Sequence, residues 1–95
     1  MYKILIKKRA KRFFDYLPTK SRKIVEEHIR ALTESPYPGK GSGDKKRLRL
    51  KNREVYRMHV GRSYTIFYEI IEEDNTVEVL NILTIEEAHK LYGRL

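Results

Sequence analysis

A change of period along the chain constrains its fold more than any other feature. Between residues 8 and 32 the apolar side chains recur at helical spacing, and between residues 46 and 83 they alternate. Ala10, Phe13, Phe14 and Leu17 fall at i, i+3, i+4 and i+7, which places them on one face of a helix while Lys8, Arg9, Lys11 and Arg12 stay in water. Pro18 interrupts that helix. Val25, His28, Ile29 and Leu32 then repeat the spacing, widened by Ile24 and Ala31, until Ser35-Pro36 stops the second helix. The two helices are expected to form a hairpin.

The short apolar run Tyr2 to Ile6 has the length of a strand. Residues 35–43 hold two of the three prolines and three of the five glycines, a loop composition. Strand patterns follow at Lys46 to Lys51, Val55 to Val60, Ser63 to Ile71 and Thr76 to Leu83, with Gly61-Arg62 as a tight turn and Glu72-Glu73-Asp74-Asn75 as a charged one. Thr84-Ile85-Glu86-Glu87 reads as a capping box that opens a last helix ending near Tyr92, with Gly93 able to close it. Helices segregated from a run of strands argue for an α+β domain rather than a doubly wound parallel sheet. The expected architecture is an N-terminal strand, a helical hairpin on one sheet face, a four-stranded antiparallel meander and a short C-terminal helix. Ninety-five residues bury one core, so residues 1–95 are expected to be a single domain.

Apolar runs far short of about 20 residues argue against a bilayer span, and the opening segment is too short for a signal-peptide core. Without cysteine there is no disulfide framework, zinc-thiolate site or thiol nucleophile, which fits a cytoplasmic protein. The net charge is +8, and residues 1–62 carry 19 of the 21 basic side chains but only 6 of the 13 acidic ones. A basic field of this kind attracts nucleic acid through counterion release, and a solvated, aggregation-resistant surface is the plainer alternative.

Within the strands, Leu48 and Leu50 alternate with Arg47, Arg49 and Lys51, while Tyr56, Met58 and Val60 alternate with Val55, Arg57 and His59. Neighbouring strands with their apolar faces on the core would gather Arg47, Arg49, Lys51, Arg57 and His59 into one basic patch on the open face. Histidine titrates near neutrality, so His59 among cations is the better acid–base candidate. His28 lies in an apolar helical stripe and reads as structural. His89 and Tyr92, three apart on the last helix, either cooperate in proton transfer or pack that helix on the sheet. Gly39, Gly41 and Gly43 lack the Lys-Ser/Thr ending of a phosphate loop, and the runs 72–74 and 86–87 do not converge as metal ligands. No metal or other cofactor is expected.

The stretch Tyr56-Arg57-Met58-His59-Val60-Gly61-Arg62-Ser63-Tyr64-Thr65-Ile66-Phe67-Tyr68-Glu69-Ile70 resembles the RelE/ParE superfamily of toxins from type II toxin–antitoxin systems. The likeness runs through nearly the whole chain: opening strand, Arg/Lys-studded helices, Ser35-Pro36 break, Leu48-containing strand, Tyr-Arg-x-x-x-Gly-x-x-Tyr pattern and terminal Tyr92. It implies a curved antiparallel sheet on a helical hairpin and a cognate antitoxin partner. In the RelE branch it implies metal-independent, ribosome-dependent cleavage of mRNA, and for a toxin–antitoxin complex, binding to promoter DNA. By position, Arg57 and His59 match the family's basic catalytic positions and Tyr92 its terminal tyrosine. Thr65 and Glu86 stand where the RelE branch places arginines, leaving Arg62 and His89 as the substitutes at hand. On this reading Arg57, His59, Arg62, His89 and Tyr92 carry catalysis, and Lys46, Arg47, Arg49 and Lys51 dock RNA. The other reading is a ParE-like gyrase inhibitor or antitoxin-binding module without nuclease activity.

Overall fold

Leu5 is half exposed while Ile4 and Ile6 turn inward, so the first strand, β1 (Lys3–Ile6), is a half-buried edge. The computed structural model describes residues 1–39 and 43–92; for Tyr92 it describes the backbone alone. After β1 come α1 (Lys8–Tyr16), α2 (Thr19–Ala31), β2 (Asp44–Leu50), β3 (Arg53–Val60), β4 (Tyr64–Ile71), a 3₁₀ turn at Glu72–Asp74, β5 (Thr76–Thr84) and α3 (Ile85–Tyr92). The α+β expectation is met. Pro18 ends one helix and caps the next, because it cannot continue a helix but suits its first turn. Gly93, expected to close α3, lies outside the described residues, as do the loop positions 40–42.

The sheet has five strands in the order β1-β5-β4-β3-β2. β2 to β5 form the antiparallel meander, and β1 joins it by pairing parallel to β5, from Lys3 opposite Thr76 to Ile6 opposite Val79. Parallel pairing requires a long crossover, here nearly the whole chain.

One sheet face carries the main core. Tyr56, Met58, Val60, Ile66, Tyr68, Val77, Val79 and Ile82 pack against Ala10, Leu17, Val25, Ile29 and Leu32 of the helical layer. Each such aliphatic side chain stabilises the fold by about 1.5–3 kcal/mol through burial. A bulge in β5 lets Val79 and Ile82, three residues apart, share that face: Tyr68 pairs with Val79 but Phe67 with Asn81, so Leu80 is the extra residue. Tyr68 lies fully buried, stacked on Tyr56 with centroids 5.5 Å apart, and its hydroxyl donates to the Pro36 carbonyl at 2.6 Å. That bond anchors the α2–β2 connection. His28 is half-buried with Nδ1 2.8 Å from the Ile24 carbonyl, as its structural reading requires.

The opposite face holds a smaller apolar cluster of Val55, Phe67 and Ala88, edged by Leu48, Leu50, Leu80 and Leu83, and α3 lies across it. Two acidic residues, Glu69 and Glu78, stand directly opposite one another on β4 and β5. Their repulsion is offset by the Arg53 guanidinium, which donates to both oxygens of Glu69 at 2.7 and 2.8 Å, and by Lys7, 3.4 Å from Glu78. Among the described residues, no helix is long and apolar enough to cross a membrane.

Candidate functional site

The register of β2 against β3 decides which cations meet. Leu50 pairs with Arg53 across a two-residue turn, Lys51-Asn52, so Leu48 stands beside Val55, Lys46 beside Arg57, and Arg47 beside Tyr56. Directly paired residues project to the same side of a sheet. The basic patch expected from alternation is therefore corrected. Lys46, not Arg47, shares a face with Arg57 and His59, and Leu48 and Leu50 lie on that face as well. Arg47 belongs to the side of Tyr56 and lies 3.8 Å from Glu54, whose carboxylate Arg49 also approaches at 3.6 Å. Lys51 is not in the strand: it occupies the turn in the left-handed conformation, φ 52°.

On this face β2, β3 and α3 border a cavity of about 410 Å³ lined by Lys46, Leu48, Arg49, Leu50, Arg57, His59 and His89. His59, half-buried on β3, is paired with Thr65 on β4 and Asp44 on β2. Its Nδ1 lies 2.8 Å from the Thr65 hydroxyl oxygen, and Thr65 is wholly buried. Burial pushes the imidazole below its ordinary 6.5, and the positive charge of Arg57 adds to the effect, as does His89, with Asp44 opposing. Burial and positive charge both favour the neutral imidazole, the form competent to accept a proton.

Arg57 is held from the edge strand. One of its terminal nitrogens donates to the Asp44 carbonyl at 3.0 Å and lies 3.4 Å from the Asp44 carboxylate. Only 14% of its side chain is exposed, so its charge acts in a partly desolvated setting. His89 reaches the cavity from α3, its ring edge-on to that of His59 with centroids 6.3 Å apart. The helix is fixed by the expected capping box: the Glu87 amide donates to the Thr84 hydroxyl oxygen at 3.2 Å, and the Thr84 amide donates to the Glu87 carboxylate at 3.2 Å. Sequence spacing therefore located the device that aims His89.

The remaining candidates are dispersed. Arg62 is exposed in the β3–β4 turn and is not in the cavity wall described above. Glu86 is exposed in the first turn of α3. Tyr92 is the last residue of α3, and its side chain lies outside the described residues. Among the described residues, no three or more His, Asp or Glu side chains gather as a metal site. Two contacts escaped the sequence reading, Thr65 on His59 and Asp44 on Arg57. The first had a signal: a turn centred on Arg62 sets residue 59 opposite residue 65. What the cavity offers is a neutral imidazole, a second imidazole facing it, and a guanidinium and an ammonium beside them, which is equipment for proton transfer next to an anion.

Comparison with known proteins gives the fold its context. Residues 4–88 match the family described as ParE toxin of type II toxin-antitoxin system. No curated protein matches the chain. Among solved structures, the RelE–RelB complex of Pyrococcus horikoshii aligns with TM-score 0.73 at 21% identity, covering 87% of this chain and 93% of the other. The RelBE2 toxin–antitoxin complex of Mycobacterium tuberculosis aligns with TM-score 0.73 at 24% identity, covering 87% and 96%. The YoeB–YefM complex of Staphylococcus aureus aligns with TM-score 0.70 at 15% identity, covering 87% and 95%. At these identities the structures speak for the fold, and the family match, which spans the helical hairpin, the meander and the first half of α3, carries the assignment. The chain belongs to the ParE toxin family, within the RelE/ParE superfamily of type II toxin–antitoxin toxins.

Proposed function

We propose that this toxin is a metal-independent, ribosome-dependent mRNA endoribonuclease, restrained by a cognate antitoxin and acting through the cavity of His59, Arg57 and His89. The carrying observation is the pair of imidazoles 6.3 Å apart beside a half-buried guanidinium. Neutral His59 takes the proton of a ribose 2′-hydroxyl, the 2′-oxygen attacks the adjacent phosphorus, and the bond to the 5′-oxygen breaks. His89 in its protonated form gives that leaving oxygen its proton, and the products are a 2′,3′-cyclic phosphate and a 5′-hydroxyl. Arg57 and Lys46 stabilise the extra negative charge on the phosphorus oxygens in the transition state. Each proton transfer contributes about 10²–10⁴-fold in rate. The alignment with RelE–RelB and YoeB–YefM complexes supports the antitoxin, and the positive net charge supports ribosomal RNA as a platform.

Primer extension on a defined mRNA, with and without ribosomes, tests this reading. Cuts that require ribosomes are the expected result, and intact mRNA on translating ribosomes contradicts it. A second reading is favoured by the family match itself: a ParE-type toxin that inhibits gyrase. Thr65 and Glu86, in place of the RelE-branch arginines, point the same way. Loss of gyrase supercoiling in the absence of ribosomes, with mRNA intact, would select it.

A further inference from the structure

Thr65 is the polar side chain that the fold buries completely among the described residues, at the second position of β4 with buried Ile66 and Phe67 after it. Packing does not explain it. A valine has the same shape and would fill the site without the cost of desolvating a hydroxyl, and it favours strands equally well. The hydroxyl has one evident employment, the 2.8 Å contact with Nδ1 of His59, its direct neighbour across the β3–β4 ladder.

We infer that Thr65 is a positioning residue for His59: its hydroxyl holds the imidazole by Nδ1, presents Nε2 to the cavity, and keeps that hydrogen bond in both protonation states of the ring. The chemistry of a hydroxyl allows this. With its oxygen accepting from Nδ1–H, it holds the neutral ring as the tautomer whose Nε2 is free to take a proton, and the same bond persists in the imidazolium. A carboxylate in its place would favour the charged ring, whereas a hydroxyl carries no charge of its own. The proton then comes and goes at Nε2 while the bond at Nδ1 stays. The charged and titratable groups around His59 are Arg57 on β3, Asp44 on β2 and His89 on α3, with Lys46 and Arg49 of β2 in the same cavity wall. Thr65, on β4, is the uncharged partner in this set, so it orients the ring without fixing its charge. Both residues sit on interior strands of the sheet, where the ladder holds their separation.

The inference rests on the ribonuclease reading of the cavity, and its test separates the two. Nitrogen-15 spectra of the imidazoles would be recorded between pH 5 and 8 on the whole protein, its Thr65→Val variant and its Thr65→Ser variant, with ribosome-dependent cleavage measured in parallel. The wild type should show a single His59 tautomer. Thr65→Val should mix the tautomers, lower the protonation midpoint further, and reduce the cleavage rate at least tenfold through kcat more than KM. Thr65→Ser, which keeps the hydroxyl, should restore the wild-type His59 signals and pH profile. Unchanged His59 signals in Thr65→Val, or a Thr65→Ser spectrum that fails to match the wild type, overturn the positioning role. Tautomers that follow the hydroxyl in a wild type that cuts no mRNA uphold the positioning role and remove the ribonuclease reading alone.

Discussion

At the scale of single residues, the surroundings of His59 set its charge. Burial, Arg57 and His89 hold its folded-state pKa below the 6.5 of a free imidazole. Converting Arg57 to Gln removes one cationic neighbour, so the His59 titration midpoint should rise toward 6.5, a shift that proton or nitrogen NMR reads directly. The same depression links pH to stability. A histidine whose folded pKa is lowered binds its proton more weakly than the unfolded chain does. The stability it preserves above pH 6.5 is therefore lost as pH falls through that value toward the folded pKa. Denaturant midpoints of the wild type should decline from pH 7 to pH 5, and His59→Asn should flatten part of that decline. An equal slope in the variant would assign the effect to other groups. Glu69, held below the usual carboxylate range by Arg53, adds its own loss lower down, as pH falls from about 4.5 through its folded pKa.

At the scale of elements, small features fix where the site residues stand. Thr84 and Glu87 cap α3 and thereby aim His89. Thr84→Ala should cost about 1 kcal/mol of stability, as loss of a helix cap does, and should weaken cleavage beyond what Glu86→Ala does. Urea denaturation and a single-turnover rate check both. Gly43 enters β2 with φ 103°, and a Cβ there would lie 2.9 Å from the sulfur of buried Met58. Gly43→Ala should destabilise by roughly 1–2 kcal/mol through the left-handed backbone alone, and a stability equal to wild type would refute the strain. Elements were legible from the sequence because period, proline and capping signals are local. The face of Arg47 and Arg49 was not, because alternation tells which residues of one strand share a side and leaves the register between strands open. Ending the strand at Lys51 and starting the next at Val55 implies pairing of those two residues, whereas the structure pairs Leu50 with Arg53. The offset is odd, and an odd offset turns every side chain of the strand over. The sequence also misled because the two strands turn their apolar residues to opposite sheet faces, Tyr56, Met58 and Val60 of β3 under the helical hairpin and Leu48 and Leu50 of β2 near α3.

At the scale of the whole molecule, the mixed sheet divides the labour: the helical hairpin covers one face with the main core, and the other face is left to a small apolar cluster and the basic cavity. Lys46 and Arg57 stand in that cavity, and Arg49 lines it from the edge strand. If these three and one helical cation each neutralise a phosphate of single-stranded RNA, the logarithm of affinity falls with the logarithm of salt at a slope of about −2.8. Binding to an RNA oligonucleotide should then weaken roughly 50-fold between 50 and 200 mM salt, and a flat salt response would place the charge in a purely solvating role. His59, His89 and Arg57 were identifiable from sequence because histidine and arginine alternate on one strand and a cap announces the last helix. Thr65 was not identifiable as a partner, since nothing local in a strand marks a threonine as the partner of a histidine six residues earlier.

Whether His59 and Arg57 perform the proposed cleavage is tested most directly by primer extension on ribosome-bound mRNA with the wild type, His59→Ala and Arg57→Ala, each confirmed folded by circular dichroism. The account predicts cuts by the wild type and a loss of about 10²-fold or more in each variant. Undiminished cutting by both variants would contradict it.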